Sequence, residues 1–254
     1  MRPELERLRG RLAVLSPHLD DAAFSLGATI AKSARAGARV TIATVFAGDP
    51  ASRKPAGDWD RRAGFRSASD AARARREEDR RACSILGADP VWLDFEDEQH
   101  AQERDADAVW AALEAVLAEA EAVLVPGFPL LNPDHAWLTP LVLDRFARPE
   151  RTGLYVEQPY ATWYRGDEAR PELMRTSALL GGAAPSWLSF RPGLHDWLAK
   201  QRALRAFRSQ LAVMARPLQR VPLAVALYEA RRGGETLAWI DQAGPMPKSI
   251  IDAE

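Results

Sequence analysis

Short apolar runs alternate with segments of helical period along the first two thirds of the chain. The spacing predicts a strand over Arg11–Pro17, a helix over Ala22–Ala36 and a strand rich in Val, Ile and Thr over Arg39–Phe46. A polar stretch from Gly48 to about Ser69, with Gly, Pro and many charges, reads as either a mobile active-site flap or a disordered insert. A charged helix running to Leu86 and closed by Gly87 comes next. It is followed by a strand over Pro90–Phe95, a helix over Ala101–Ala120, a strand over Ala122–Val125, a helix over His135–Ala147 and a strand over Gly153–Glu157. Five strands separated by helices predict an α/β fold, a mostly parallel sheet with helices on both faces. From Thr162 the pattern changes to one long helix, Leu194–Met214, and two strands, Val221–Ala230 and Thr236–Ile240. The expectation is a single domain, with a core over about 8–160 and an α+β extension over about 161–254.

Two clusters of polar residues fall where strands end, the edge at which α/β folds build their sites. Ser16-Pro17-His18-Leu19-Asp20-Asp21 follows the apolar run Leu12–Leu15, and Asn132-Pro133-Asp134-His135 follows the run Ala122–Val125. Together they offer two imidazoles and a carboxylate to a metal, with positions left for water and substrate. Helix capping alone would also use Asp20 or Asp21, since carboxylates are favoured at a helix's positive end, and Asp134 or His135 could serve likewise. Capping needs only one aspartate and explains neither His18 nor its spacing.

Composition narrows the partners. The formal net charge is −1 with charges mixed throughout, which argues against nucleic acid. All basic residues except Lys32, Lys54, Lys200 and Lys248 are arginine, a bias of composition without functional content. Cys83 is the only cysteine, so no disulfide framework is expected and a metal would be held by nitrogen and oxygen. No stretch approaches the ~20 apolar residues that cross a bilayer, and the first residues lack a signal-peptide pattern. A cytoplasmic protein without a membrane span is therefore the expectation; an oligomer is left open. The first strand does not lead into Gly-x-Gly-x-x-Gly, and two carboxylates in its place would repel a pyrophosphate, which disfavours a dinucleotide enzyme.

Pro17-His18-Leu19-Asp20-Asp21, Pro133-Asp134-His135, and Lys200-Gln201-Arg202-Ala203-Leu204 followed by Ser209-Gln210 resemble the LmbE-like, or PIG-L, family of metal-dependent N-acetylglucosaminyl deacetylases. The resemblance implies a Rossmann-like core, a catalytic zinc (Fe(II) or another divalent ion being the alternative) and hydrolysis of the acetamide of an N-acetylglucosamine-type sugar or conjugate. It makes His18, Asp21 and His135 the metal ligands and Asp20 the general base. Independently, a second carboxylate beside a metal-activated water, but not ligating, has the chemistry of a base.

One departure matters. Many family members carry a histidine three residues before the last ligand, where this chain has Asn132, which can donate a hydrogen bond to an oxyanion but cannot act as a general acid near neutral pH. Arg75 or Arg76 falls where family members have an arginine that contacts the sugar; Asp97, in competition with Asp94, Glu96 and Glu98, could hold sugar hydroxyls, and His100 could reach the same edge; His195 reads as structural or capping. Trp59, Trp137 and Trp163 could stack on a sugar ring or pack on the core. A metal- and sugar-binding module without turnover, and a non-haem Fe(II) oxygenase, are the competing readings. Asp20 has an obvious task only in hydrolysis.

Overall fold

The computed structural model describes residues 6–48, 54–98, 100, 103–146, 148–163, 169–214 and 221–244. The chain enters through β1 (Arg11–Ser16), α1 (Asp21–Arg35) and β2 (Arg39–Thr44), then α2 (Asp58–Arg62), α3 (Ala68–Leu86) and β3 (Asp89–Trp92). It continues through α4 (Ala106–Leu117), β4 (Ala122–Phe128), α5 (Pro133–Phe146) and β5 (Thr152–Val156). The remainder forms α6 (Tyr160–Trp163), α7 (Ala169–Leu179), β6 (Leu188–Phe190), α8 (Leu194–Leu204), α9 (Arg208–Met214), α10 (Val221–Arg232) and β7 (Glu235–Trp239). One seven-stranded sheet has the order β3-β2-β1-β4-β5-β7-β6. The first five strands are parallel, and β7 and β6 extend the sheet antiparallel.

Strand alternation divides the core. Leu12, Val14, Val40, Ile42 and Leu124 point to the face covered by α1, α3 and α8. Ala13, Leu15, Ala43, Val123 and Val125 point to the face covered by α4 and α5. Strands buried on both faces read as continuous apolar runs, which is why β1 and β4 are legible in the sequence. Among the described residues no helix is long and apolar enough to cross a membrane.

Several boundaries differ from the pattern reading. The stretch after Gly48 carries regular structure where it is described: α2 lies within it, and Ala56 N to Arg66 O (3.1 Å) and Ala68 N to Lys54 O (3.1 Å) tie its two ends together. Residues 49–53 lie outside the described residues. The predicted strand Val221–Ala230 is the helix α10, whose buried residues Val221, Val225 and Glu229 recur every four positions. Its apolar alternation mimics a strand, and Pro222 in the first turn is the competing helix-start signal. The predicted helix Leu194–Met214 breaks into α8 and α9 around the fully buried Phe207. The helix predicted to start at Ala101 starts at Ala106, where Asp105 caps the amides of Asp107 and Ala108; residues 101 and 102 lie outside the described residues. The elements α2, α6, α7 and β6 were not legible, being short or weakly patterned.

A buried charge cluster joins α1 to the C-terminal elements. Lys200 is fully buried, and its Nζ donates to Glu229 Oε1 (2.5 Å) and Glu235 Oε1 (2.6 Å). Helix α1 is kinked at Leu26 (φ −128°, ψ 16°), and Glu235 accepts from the amides of Ala28 (2.9 Å) and Thr29 (2.6 Å) just beyond the kink. The Lys200 stem crosses α1 at Gly27, where a Cβ would meet its Cγ at 2.9 Å. Lys200→Met would leave two carboxylates facing each other in the core, and should cost about 3–5 kcal/mol in urea unfolding.

Asp79 of α3 is a second buried carboxylate. It accepts from Trp92 Nε1 (2.8 Å), and burial pushes it up to about 6. The folded state therefore holds this proton more tightly than the unfolded chain, a stabilisation complete below about pH 4 and lost as pH rises through 6. Asp79→Asn should raise the unfolding free energy at pH 8 by about 1–3 kcal/mol and flatten its pH dependence between pH 4 and 6.

Candidate active site

The strand order reverses between β1 and β4, whose onward connections leave in opposite directions and open a crevice at their C-terminal ends. After β1 the chain turns tightly. Ser16 Oγ donates to His18 O (2.6 Å) and accepts from Ala22 N (3.0 Å), while His18 N donates to Asp21 Oδ2 (2.8 Å). Asp20 precedes α1 but makes no side-chain cap; its backbone sits at φ 155°, ψ −30°, a region costly for a residue with a Cβ. After β4, Asn132 Oδ1 accepts from Asp134 N (2.8 Å) and starts α5, which carries His135.

These turns bring His18, Asp21 and His135 together. His135 Nε2 lies 3.2 Å from both Asp21 Oδ2 and His18 Nδ1, and His18 Nδ1 lies 3.4 Å from Asp21 Oδ2. Bonds of about 2.0–2.1 Å in a tetrahedron put ligand atoms about 3.3 Å apart, so the three atoms have the spacing that a zinc-like ion requires. The outer ring nitrogens are also engaged: His18 Nε2 meets Asp134 Oδ2 (2.8 Å), and His135 Nδ1 meets Glu157 Oε2. Asp134 also accepts from Glu98 N (3.1 Å) and pairs with Arg104, whereas Glu157 accepts from Leu130 N (2.8 Å). Carboxylates behind metal-binding histidines fix the tautomer that presents the inner nitrogen.

Charge follows from this crowding. Burial lowers the affinity of His18 for a proton, but its hydrogen bonds to Asp134 and Asp21 outweigh that and raise it well above the ordinary imidazole value. His135 is raised to about 9 because Asp21 and Glu157 overcome its burial. Asp21 is held below the usual carboxylate range by both histidines despite burial. Asp20 goes the other way, pushed well up by burial and by the adjacent Asp21 charge. A cation bound to the three inner atoms would replace the protons that the histidines attract.

A cavity of about 750 Å³ opens over the cluster, bordered by His18, Asp20, Asp21, Arg75, Asp97 and Asn132. Trp59, Tyr160, Trp163, Val213 and Met214 form an apolar wall, and Trp59 Nε1 donates to Gln210 Oε1 (2.8 Å). Other residues singled out from the sequence lie elsewhere. His100 does not border this cavity and instead faces Asp60, with Nε2 3.7 Å from its Oδ2. Arg76 donates to Ala47 O (2.8 Å), Trp137 packs on Phe46 (6.0 Å between centroids), and His195 is exposed. Asp134, Glu157 and Tyr160, which stands edge-on to the His135 ring at 5.5 Å, are site residues that received no role from the sequence. Asp134 lies inside the Pro133-Asp134-His135 motif; the signal for Glu157 is a carboxylate just past the end of a strand.

Fold and site together define a Rossmann-like α/β protein with a His/Asp/His cluster fitted to a divalent metal at the strand-order reversal. Residues 13–146 match the family model PIG-L, GlcNAc-PI de-N-acetylase, and the chain belongs to that family. It is 35% identical over 152 residues to 2'-N-acetylparomamine deacetylase of Streptomyces fradiae, covering 51% of this chain and 50% of that one. The chain thus matches about half the length of this curated relative. The solved A40926 pseudoaglycone deacetylase superposes with a TM-score of 0.74 at 26% identity, over 91% of this chain and 96% of that one. The zinc-inhibited form of teicoplanin deacetylase superposes at 0.72 with 20% identity, over 90% and 97%, a likeness of fold.

Glu157→Gln should weaken divalent-metal binding about 10–100-fold in equilibrium dialysis against zinc, with unchanged circular dichroism.

Proposed function

We propose that this protein is a metal-dependent N-deacetylase that hydrolyses the acetamide of an N-acetylglucosamine-type sugar or sugar conjugate, with residues 1–254 acting as one catalytic domain. The observation that carries the reading is the set of inner atoms of His18, Asp21 and His135 at 3.2–3.4 Å from one another, beside an Asp20 that borders the cavity. Family membership and relatives named as deacetylases support it. Bound by the three residues, a divalent ion such as zinc would polarise the amide carbonyl and acidify water.

The chain's own groups do the rest. Asp20 accepts the proton that water loses as its oxygen bonds to the amide carbon. When the C–N bond breaks, the same carboxyl returns that proton to the departing amine, leaving acetate and a free amino sugar. Asn132 contributes an N–H donor toward the developing oxyanion, a task that its amide performs without titrating. Its Oδ1 is committed to Asp134 N, so Nδ2 is the group left to turn inward, lying 3.5 Å from Glu98 Oε1. Arg75 and Asp97 hold sugar oxygens on the facing wall.

Asp20→Asn should keep bound metal but lower amine release from N-acetylated amino sugars by about 10²–10⁴-fold. Asp21→Ala and His135→Ala should lose metal and turnover together, read by metal analysis beside the assay. Turnover retained in Asp20→Asn would remove the base role.

A further inference from the structure

The polar stretch after Gly48 holds α2, and the residues of α2 divide between two tasks. Asp58, Trp59 and Arg62 border the large cavity, whereas the Asp60 side chain is 4% exposed and ion-paired with Arg75 of α3. Arg75 itself borders the large cavity, so this ion pair connects the cavity wall to the segment that covers it. Behind the pair lies a void of about 40 Å³ bordered by Asp60, Arg75, Asp97 and His100, with room for a water or two. Nη2 of Arg75 and Oδ1 of Asp60 are the paired atoms, while Nε of Arg75 and Nε2 of His100 are buried without an aligned hydrogen bond among the described residues. The ion pair therefore takes one nitrogen of the guanidinium and fixes the group where Arg75 borders the large cavity.

We propose that Asp60 is a positioning residue: its ion pair holds Arg75 and α2 in place at the cavity wall, so that the part of Arg75 that borders the cavity meets an oxygen of the bound substrate. An arginine has many rotamers, and fixing it before the substrate arrives removes that ordering cost from binding. The effect falls on substrate affinity, because Asp60 neither touches the metal cluster nor borders the large cavity. The substrate half of the inference rests on the deacetylase reading; the anchoring half does not.

The test uses the metal-loaded full chain and 4-nitrophenyl N-acetylglucosaminide. Asp60→Asn should raise KM at least about tenfold with kcat within about threefold, and Asp60→Glu should restore most of the loss. Arg75→Gln should show the same rise, and the double variant Asp60→Asn/Arg75→Gln should be no worse than Arg75→Gln alone. An unchanged KM in Asp60→Asn, or penalties that add in the double variant, would overturn the proposal. Amide hydrogen exchange over residues 58–65, read without substrate, should quicken at least about tenfold in Asp60→Asn. Unchanged exchange overturns the anchoring, whereas a wild type that deacetylates no amino sugar sinks the deacetylase reading and leaves the exchange result to decide Asp60's role.

Discussion

The reversal of strand order between β1 and β4 is the constraint on which the site depends. Neighbouring parallel strands normally send their connections the same way and close over their own ends. Here α1 leaves β1 toward one face of the sheet and α5 leaves β4 toward the other, so the two turns are drawn apart above a rigid edge. Each turn needs only a few residues to present a ligand, since the strands already fix its position. The ring nitrogens of His18 and His135, 117 residues apart in sequence, lie 3.2 Å apart by this means.

Charge balance is the second determinant. Three carboxylates, Asp21, Asp134 and Glu157, are buried around two histidines, and each histidine stands between carboxylates. Such a cluster is anionic unless a cation enters it, and the raised proton affinity of both rings expresses that demand. Arg104, seated between Phe46 and Trp137, answers part of it on the far side of Asp134. The inner atoms of His18, Asp21 and His135 are left for the metal.

What the sequence made legible was local. His18, Asp20 and Asp21 lie within one turn after an uninterrupted apolar strand, and His135 opens a helix after another, so spacing alone suggested their joint use. Glu157 and Asp134 become second-layer partners only when β5 and α5 approach the two rings, and no local pattern encodes that approach. His100 follows the right strand yet turns toward Asp60, because position after a strand fixes an edge and not a direction. Helix α10 resembles a strand in sequence for a related reason. Its outward Leu223 and Leu227 are 54% and 51% exposed, and apolar residues on a solvent face mimic the alternation of a strand.

The Lys200 cluster also has a consequence far from the site. One ammonium shared by two glutamates leaves an excess negative charge in the core, and burial raises Glu229 to about 7 in spite of Lys200. Between the ordinary glutamate range and neutrality, the folded chain therefore carries a hydrogen ion that the unfolded chain gives up. Assembly of the α1, α8, α10 and β7 junction is thus coupled to the acidity of the medium. The junction therefore holds together more firmly in mildly acidic medium than in alkaline medium.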